Sequence, residues 1–263
     1  MLDDIMLAVD NLTHQSARHG IKPGKVLLDN DDEWDGDPCS LVQDLVHLAC
    51  DYIHKGDEKG DESADTGGAP LLYTISLKLF AIAHCFHPQD DAAVLCGMGQ
   101  AVSDLGFCGE AVAILEQSLE LNAEDHVTLL HLGTAYHDNG QLQDSVAMLE
   151  KGMFAAAKAG DHYHCSECLR KRGNAFEELG DFKAAAKNYA IGMEMEPAEA
   201  EFVSARAMCV KNLGQTNKAT ALLIKAKELY QHAGDEESAG HCVVEIEEIR
   251  NSKMKTNSKL SID

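Results

Sequence analysis

The sequence lacks a long apolar run and has few basic residues for its length. No apolar stretch approaches the ~18 residues that a membrane-spanning helix needs, so we expect no membrane insertion. The 22 Lys and Arg residues are outnumbered by 44 Asp and Glu residues, which gives a formal net charge of -22. This charge disfavours nucleic acid and anionic membranes as partners and favours a protein with a basic or amphipathic segment. The alternative is that the acidity only keeps the protein soluble.

Recognisable catalytic and targeting motifs are also missing. There is no phosphate-binding glycine loop, no nucleophile elbow and no HExxH sequence, so we predict a protein that is not an enzyme and uses no cofactor. The stretch MLDDIMLAVD carries two aspartates where a signal peptide carries Lys or Arg. The nine cysteines are odd in number and irregularly spaced, which is typical of reduced core residues. We therefore expect a cytoplasmic protein in a reduced intracellular compartment.

The sequence does contain a repeating arrangement of turn, small and large residues. The turn glycines are spaced 34, 40 and 34 residues apart, at Gly106, Gly140, Gly180 and Gly214. Seven residues before each lies a small residue: Gly99, Gly133, Gly173 and Ala207. Nine residues after each lies a large one: Leu115, Leu149, Tyr189 and Leu223. Small residues allow two helices to approach closely, and large ones fill the space between them, so the pattern predicts stacked helix pairs.

The stretch from Lys171 to Pro197 carries a resemblance to a known family. Its small, aromatic, turn and proline positions match the tetratricopeptide repeat (TPR) family at Gly173, Phe176, Gly180, Ala185, Tyr189, Gly192 and Pro197. The resemblance implies an all-α fold, a TPR α-solenoid in which antiparallel helix pairs form a right-handed superhelix. The 40-residue step resembles the elongated units of cell-polarity adaptors and kinesin light chains. There we expect one helix to continue to about Lys158 and the next to begin after Asp161.

The resemblance divides the chain into three parts. Residues 1–38 are expected to form an N-terminal helix and an acidic linker, and the helix either caps the first repeat or docks a partner. Residues 39–250 are expected to form about five TPR units, with an acidic loop insertion at 57–70, and a capping helix. That last helix should follow Asp235 and end near Arg250. Residues 251–263 are expected to be a polar tail.

The family's phase places four positions of each first helix on the inner groove of the superhelix. The predicted groove residues are Gln100, Thr134, His137, Arg170, Asn174, Glu177, Met208 and Lys211. The groove is small and apolar at first and charged later, which suits a peptide with an apolar end and a charged end. Arg170 and Asn174 offer a charged fork and an amide for a peptide backbone; the alternatives are a solvated basic face, or a groove filled by the protein's own linker or terminal helix.

The carboxylate clamp that binds EEVD-type tails of Hsp90 and Hsp70 is not predicted. Its Lys and Asn positions are occupied here by Val46, Cys50, Gly97 and Ala205. None of these four side chains can supply the charged or amide groups that such a clamp needs. The resemblance therefore implies groove binding without this particular ligand.

Two further sets of residues leave alternatives open. Arg172 and Arg206 take a position where the family usually has Leu, so either their stems extend past the core or they pair between units with glutamates such as Glu177 or Glu178. The motif HYHCSEC supplies the best metal candidates, His162, His164, Cys165 and Cys168. We predict no metal there, because both cysteines share one helix start and zinc sites usually draw ligands from two elements.

The resemblance implies a non-enzymatic adaptor that holds a peptide or helix of a partner protein in its groove. The alternative is a structural subunit of a cytoskeletal, ciliary or organelle assembly, held by its outer faces and terminal helices. A third hypothesis is a metal-dependent or catalytic protein that uses the His–Cys cluster. Groove substitutions would impair the first function, and terminal deletions the second.

Overall fold

The computed structural model of the chain describes residues 49–54, 73–80 and 92–260. The predicted N-terminal helix, the acidic linker and the 57–70 insertion lie outside the described residues. Residues 49–54 and 73–80 are helical, and the Ser76 hydroxyl donates a hydrogen bond to the Ala49 carbonyl oxygen at 2.8 Å. Tyr52 and Phe80 are buried. The two helical segments on either side of the insertion therefore pack together, as expected for one repeat.

Residues 92–260 fold into nine consecutive α-helices. They are α1 (Ala92–Asp104), α2 (Cys108–Leu121), α3 (His126–Asp138), α4 (Leu142–Ala159), α5 (His162–Glu178), α6 (Phe182–Met195), α7 (Ala200–Asn212), α8 (Thr216–Ala233) and α9 (Glu236–Leu260). None of the described residues lies in a β-strand. The chain divides into an N-terminal unit, Met1–Asn139, and a C-terminal unit, Gly140–Asp263. Within each unit sequential helices pack against each other, which confirms the predicted all-α solenoid of helix pairs.

Glycines and aspartates set the helix boundaries around the elongated helices. Gly160, with a φ of 75°, ends α4, and Gly234, with a φ of 81°, ends α8. Glycine adopts this left-handed conformation without the steric penalty that a Cβ atom brings. The Asp161 carboxylate then accepts a hydrogen bond from the His164 backbone N–H at 3.0 Å. The predicted break between Lys158 and Asp161 is confirmed.

The last helix begins where the sequence predicts but ends elsewhere. Asp235 caps it by accepting a hydrogen bond from the Ser238 backbone N–H at 2.9 Å. The expected end near Arg250 is wrong, since α9 runs to Leu260. The sequence NSKMKTNSKL that follows Arg250 has neither Gly nor Pro, the residues that end helices most strongly, and the helix continues through it.

The N-terminal unit combines close helix packing with a buried polar link. A Cβ atom on Gly99 would lie 2.4 Å from Leu115 Cγ, so only glycine allows α1 and α2 this separation. The Ser118 hydroxyl donates to the Ala92 carbonyl at 2.7 Å and lies 3.1 Å from the Thr128 hydroxyl. This link joins α1, α2 and α3 while satisfying polar groups away from water.

The C-terminal unit repeats the pairing of small and large residues. A Cβ atom on Gly173 would lie 2.2 Å from the ring of Tyr189, and one on Gly192 would lie 2.5 Å from the ring of Phe202. Both rings are buried, and their centroids lie 6.4 Å apart. Ala207 belongs to an apolar cluster further along the chain. The predicted small–large pairing is confirmed, because the glycines leave the space that the rings fill.

Most described cysteines lie in the core as free thiols. Cys165 and Cys242 are buried, and Cys50 is exposed. Burial raises the pKa of the thiols of Cys96, Cys168 and Cys209 to about 12 in each case. These thiols therefore remain protonated at neutral pH and behave as small apolar residues, which agrees with the prediction.

Candidate protein-binding groove

The predicted groove residues of the N-terminal unit lie on α1 and α3. Gln100, Thr134 and His137 are all partly buried. The Thr134 hydroxyl donates to the Leu130 carbonyl oxygen at 3.0 Å, and His137 Nδ1 lies 3.0 Å from an Asp138 carboxylate oxygen. Local contacts thus engage two of these three side chains within their own helix.

In the C-terminal unit, Arg170 is held by carboxylates of the same chain. Its guanidinium group donates two hydrogen bonds to Glu167, one turn away on α5, with Nε at 3.2 Å from the carboxylate. A second carboxylate, Glu201 on α7, lies 3.8 Å from Nη1. Glu167 raises the pKa of Arg170. The charged fork that was predicted to bind a ligand is therefore already paired within the chain.

Asn174 and Glu177 share the hydroxyl of a buried tyrosine. Tyr189 Oη lies 2.8 Å from Asn174 Oδ1 and 2.7 Å from Glu177 Oε1, and its single proton serves one of them at a time. Burial raises the pKa of Tyr189, and the hydrogen bond with Glu177 raises it further. Asn174 is exposed, and because its oxygen faces the Tyr189 hydroxyl, its amide N–H groups are the donors that it offers to a ligand.

Lys211 is the second cation of this face, and α9 supplies its partners. Its ammonium group lies 2.5 Å from a Glu245 oxygen and 3.3 Å from a Glu248 oxygen. Glu245 raises the pKa of Lys211. The predicted groove residue therefore acts as an ionic link between α7 and α9.

An open pocket of about 380 Å³ lies beside this link, between α7, α8 and α9. Met208, Leu223 and Cys242 give it apolar walls. The Ser204 hydroxyl in this pocket donates to the Glu201 carbonyl oxygen at 3.0 Å and lies 3.0 Å from the Tyr230 hydroxyl. The predicted groove residue Met208 thus lines a space that an apolar side chain can enter.

We call the surface formed by these residues of α5, α7 and α9 the C-terminal groove face. It comprises Glu167, Arg170, Asn174 and Glu177, then Glu201, Ser204, Met208 and Lys211, and finally His241, Glu245 and Glu248. Five of its members are glutamates and two are Arg or Lys. Each of the two cations is already paired with two glutamates, so the face presents net negative charge.

Sequence reasoning missed the contribution of α9 and one aromatic residue. Glu245 and Glu248 were not predicted, because no turn glycine follows α9 in the sequence. In the other repeats this glycine fixed which helix positions were assigned to the groove. Tyr163 was also missed. It lies one turn before Glu167 on α5 and is 69% exposed. Glu167 and Asn174 follow Asp161 by six and thirteen residues, and the same offsets from Asp235 lead to His241 and Glu248 on α9. One helical turn back from Glu167 leads to Tyr163.

The first two turns of α5 carry the predicted metal candidates His162, His164, Cys165 and Cys168. The two cysteines point into the core, where the Cys165 sulfur lies 3.9 Å from the Met195 sulfur. His162 is exposed, and His164 Nδ1 lies 2.8 Å from the capping carboxylate of Asp161. The four side chains therefore do not converge on one point.

Arg172 pairs with Glu150, a residue of the preceding repeat. Its Nη2 lies 2.6 Å from Glu150 on α4, and its guanidinium carbon lies 5.2 Å from the centre of the Phe176 ring. Of the two alternatives for Arg172, pairing with a glutamate of another repeat is therefore the one present, but the partner is Glu150 and not Glu177 or Glu178. The reason is geometric, because Glu177 and Glu178 lie five and six residues further along α5, about 140° and 240° around the helix from Arg172.

Comparison with known proteins supports the fold. A kinesin light chain candidate from Podosopora anserina with nearly identical TPR-like repeats is 18% identical, with a TM-score of 0.60, and covers 75% of this chain and 98% of its own. A thermophilic TPR protein from Thermus thermophilus is 18% identical, with a TM-score of 0.55, over 77% and 99% of the two chains. MamA is 16% identical, with a TM-score of 0.56, over 68% and 96%.

These similarities define the class of protein by its fold. The chain has the fold of a TPR solenoid, and identities below 20% carry the likeness no further than that. No protein-family model and no curated protein matches the sequence. No helix among residues 49–54, 73–80 and 92–260 is long and apolar enough to cross a membrane. A solenoid of stacked helix pairs presents extended surfaces to solvent.

Proposed function

We propose that the protein is a non-enzymatic adaptor whose C-terminal groove face binds a basic, amphipathic segment of a partner protein. The observation that supports this most is the charge of the face. Its two cations, Arg170 and Lys211, already have carboxylate partners, so a ligand meets an excess of glutamates. Complementary charge favours encounter with a basic segment and disfavours acidic ones.

The binding mode follows from the shape and polarity of the face. An apolar side chain of the partner enters the pocket beside Met208 and displaces water from it. Lys or Arg side chains of the partner lie along Glu201 and Glu248, whose side chains are 52% and 60% exposed. Asn174 donates to a backbone carbonyl of the segment. We place this interaction in the reduced cytoplasm, which the free thiols of the described cysteines support.

Charge reversal with a matched control tests this function. Glu201→Lys combined with Glu248→Lys reverses two groove charges, whereas Glu194→Lys combined with Glu228→Lys makes the same change in net charge on α6 and α8. Native extract is passed over each folded variant and over the wild type, and captured proteins are identified by mass spectrometry. We expect a partner that the wild type and the α6/α8 control retain and the groove variant loses.

The same experiment can contradict the proposal. Capture of the same proteins by all three forms would exclude the groove face as the contact surface. The alternative, a structural subunit held by its outer faces, would then be preferred. Exposed apolar side chains on the second helices favour that alternative, with Phe154 63% exposed on α4, Ile191 44% on α6 and Ile224 46% on α8.

A further inference from the structure

Two arginines occupy the same position in consecutive repeats of the C-terminal unit. Arg172 lies eight residues before the turn glycine Gly180, and Arg206 lies eight residues before Gly214. The Nε atom of each arginine is buried without an acceptor. The two arginines therefore differ in the contacts of their terminal nitrogens. A partly buried guanidinium group is stable only where its lost hydration is replaced by acceptors or by an anion.

Both terminal nitrogens of Arg172 have an acceptor within the chain. Nη2 lies 2.6 Å from a Glu150 carboxylate oxygen, and Nη1 lies 3.5 Å from the Asn188 side-chain oxygen. The Phe176 ring covers the guanidinium plane at 5.2 Å. Arg172 thus contacts a carboxylate on α4, an amide oxygen on α6 and an aromatic ring on its own helix, α5.

The residues equivalent to these three partners are different in the repeat of Arg206. Glu150 lies ten residues after Gly140, and the residue ten after Gly180 is Ala190; by the same counting Asn188 becomes Leu222, and Phe176 becomes Val210. All three replacements are apolar, yet the arginine remains. Among the described residues its single polar contact is the Met193 sulfur, 3.7 Å from Nη1. A thioether is a weak acceptor and carries no charge.

We propose that Arg206 binds an aspartate or glutamate side chain of a partner protein at the surface between α6 and α7. The internal pair of Glu150 and Arg172 shows the geometry that such a carboxylate adopts, and Ala190 leaves the corresponding place without one. Arg206 is two residues, about 200°, away from the groove residues Ser204 and Met208 on α7. The site therefore lies away from the groove face, and it does not depend on the proposed groove function.

Arginine side-chain nitrogen resonances provide a direct test, because the chain has only five arginines. The full-length protein is titrated with the capped peptide acetyl-Lys-Leu-Glu-Leu-Lys-amide and, as a control, with the same peptide carrying Gln in place of Glu. The flanking lysines prevent general repulsion by the acidic protein. We expect the Arg206 signal, assigned with Arg206→Leu, to shift saturably with the Glu peptide and not with the Gln peptide. The Arg172 signal should stay in place in both titrations.

Supplying the carboxylate within the chain gives a second test. Ala190→Glu should move the Arg206 signal without any peptide and abolish its response to the Glu peptide, whereas Ala190→Gln should do neither. An Arg206 signal that ignores the Glu peptide in the wild type would overturn the proposal, as would an equal response to both peptides. A response to inorganic phosphate alone would assign the site to a different anion and also overturn it.

Discussion

The repeat formed by α5 and α6 and the one formed by α7 and α8 differ in how their interiors are stabilised. In the first, Gly173 lies against the ring of Tyr189, whose hydroxyl is held by Asn174 or Glu177. The buried Asn188 amide donates to the Leu169 carbonyl oxygen of the facing helix. Polar contacts are thus built into the interior of this repeat.

In the second repeat the equivalent positions are apolar or oppositely charged. Ala207 and Leu223 replace the pair of Gly173 and Tyr189 and belong to one buried cluster, against which Leu222, the counterpart of Asn188, packs. Lys211 stands where the first repeat has Glu177, and it bonds to α9. The comparison teaches that residue size and turn position maintain the helix register, whereas the polar contacts can be exchanged.

The largest effect should come from placing the second repeat's small residue in the first. Gly173→Ala puts a Cβ atom 2.2 Å from the ring of Tyr189, which is buried and hydrogen-bonded and so cannot swing aside. We expect the free energy of unfolding to fall by about 2 kcal/mol, measured by urea unfolding followed by circular dichroism. Adding Tyr189→Leu reproduces the pair of Ala207 and Leu223 and should restore part of the loss. Stability equal to that of the wild type in the single variant would contradict the close packing.

A smaller loss should follow from removing the polar contact of the first repeat. Tyr189→Phe keeps the ring and loses the hydrogen bond to Asn174 or Glu177, so we expect a decrease of about 1 kcal/mol in the free energy of unfolding at neutral pH. The exposed Tyr163→Phe is the control and should change little.

The same variant should alter the pH dependence of stability. Burial and Glu177 raise the pKa of Tyr189 above its ordinary value of 10.0, so the folded protein keeps the proton longer than the unfolded chain. The stability that the protonated Tyr189 hydroxyl contributes is fully present below pH 10.0 and is lost as the pH rises above that value. Urea unfolding at several alkaline pH values should therefore show a steeper decline for the wild type than for Tyr189→Phe. Parallel curves would show that the hydroxyl is not buried.

The smallest effect should separate the two arginines. Arg206→Leu removes a partly buried cation that has no carboxylate partner among the described residues, so we expect a gain of about 0.5 kcal/mol in unfolding free energy. Arg172→Leu removes an ion pair and an aromatic contact, so we expect a loss of about 0.5 kcal/mol. Thermal unfolding of both variants compares them, and shifts of the same sign and size would show that the two sites are equivalent.

The sequence predicted those features that depend on local or periodic signals. The caps at Asp161 and Asp235 depend on residues within one turn, and the pairing of Gly99 with Leu115 or Gly173 with Tyr189 repeats at a fixed spacing. Such signals are visible in one chain, because each is complete within a single helix pair.

The groove face could not be predicted to the same extent, because its contacts join distant residues. Lys211 meets Glu245 and Glu248 at separations of 34 and 37 residues, and Arg170 meets Glu201 on another helix. Which carboxylate reaches which cation depends on the angle between stacked helices, and spacing along the chain does not specify that angle.

The buried cysteines make the folded chain its own reporter of local opening. Four cysteines are buried in the core on four different helices: Cys96 on α1, Cys168 on α5, Cys209 on α7 and Cys242 on α9. A thiol reagent can reach such a sulfur only when its surroundings open, and in a stacked array each repeat opens with its own free energy. The rates at which the four thiols are modified in the native protein would therefore report the stability around each one, and no cysteine has to be introduced for the measurement.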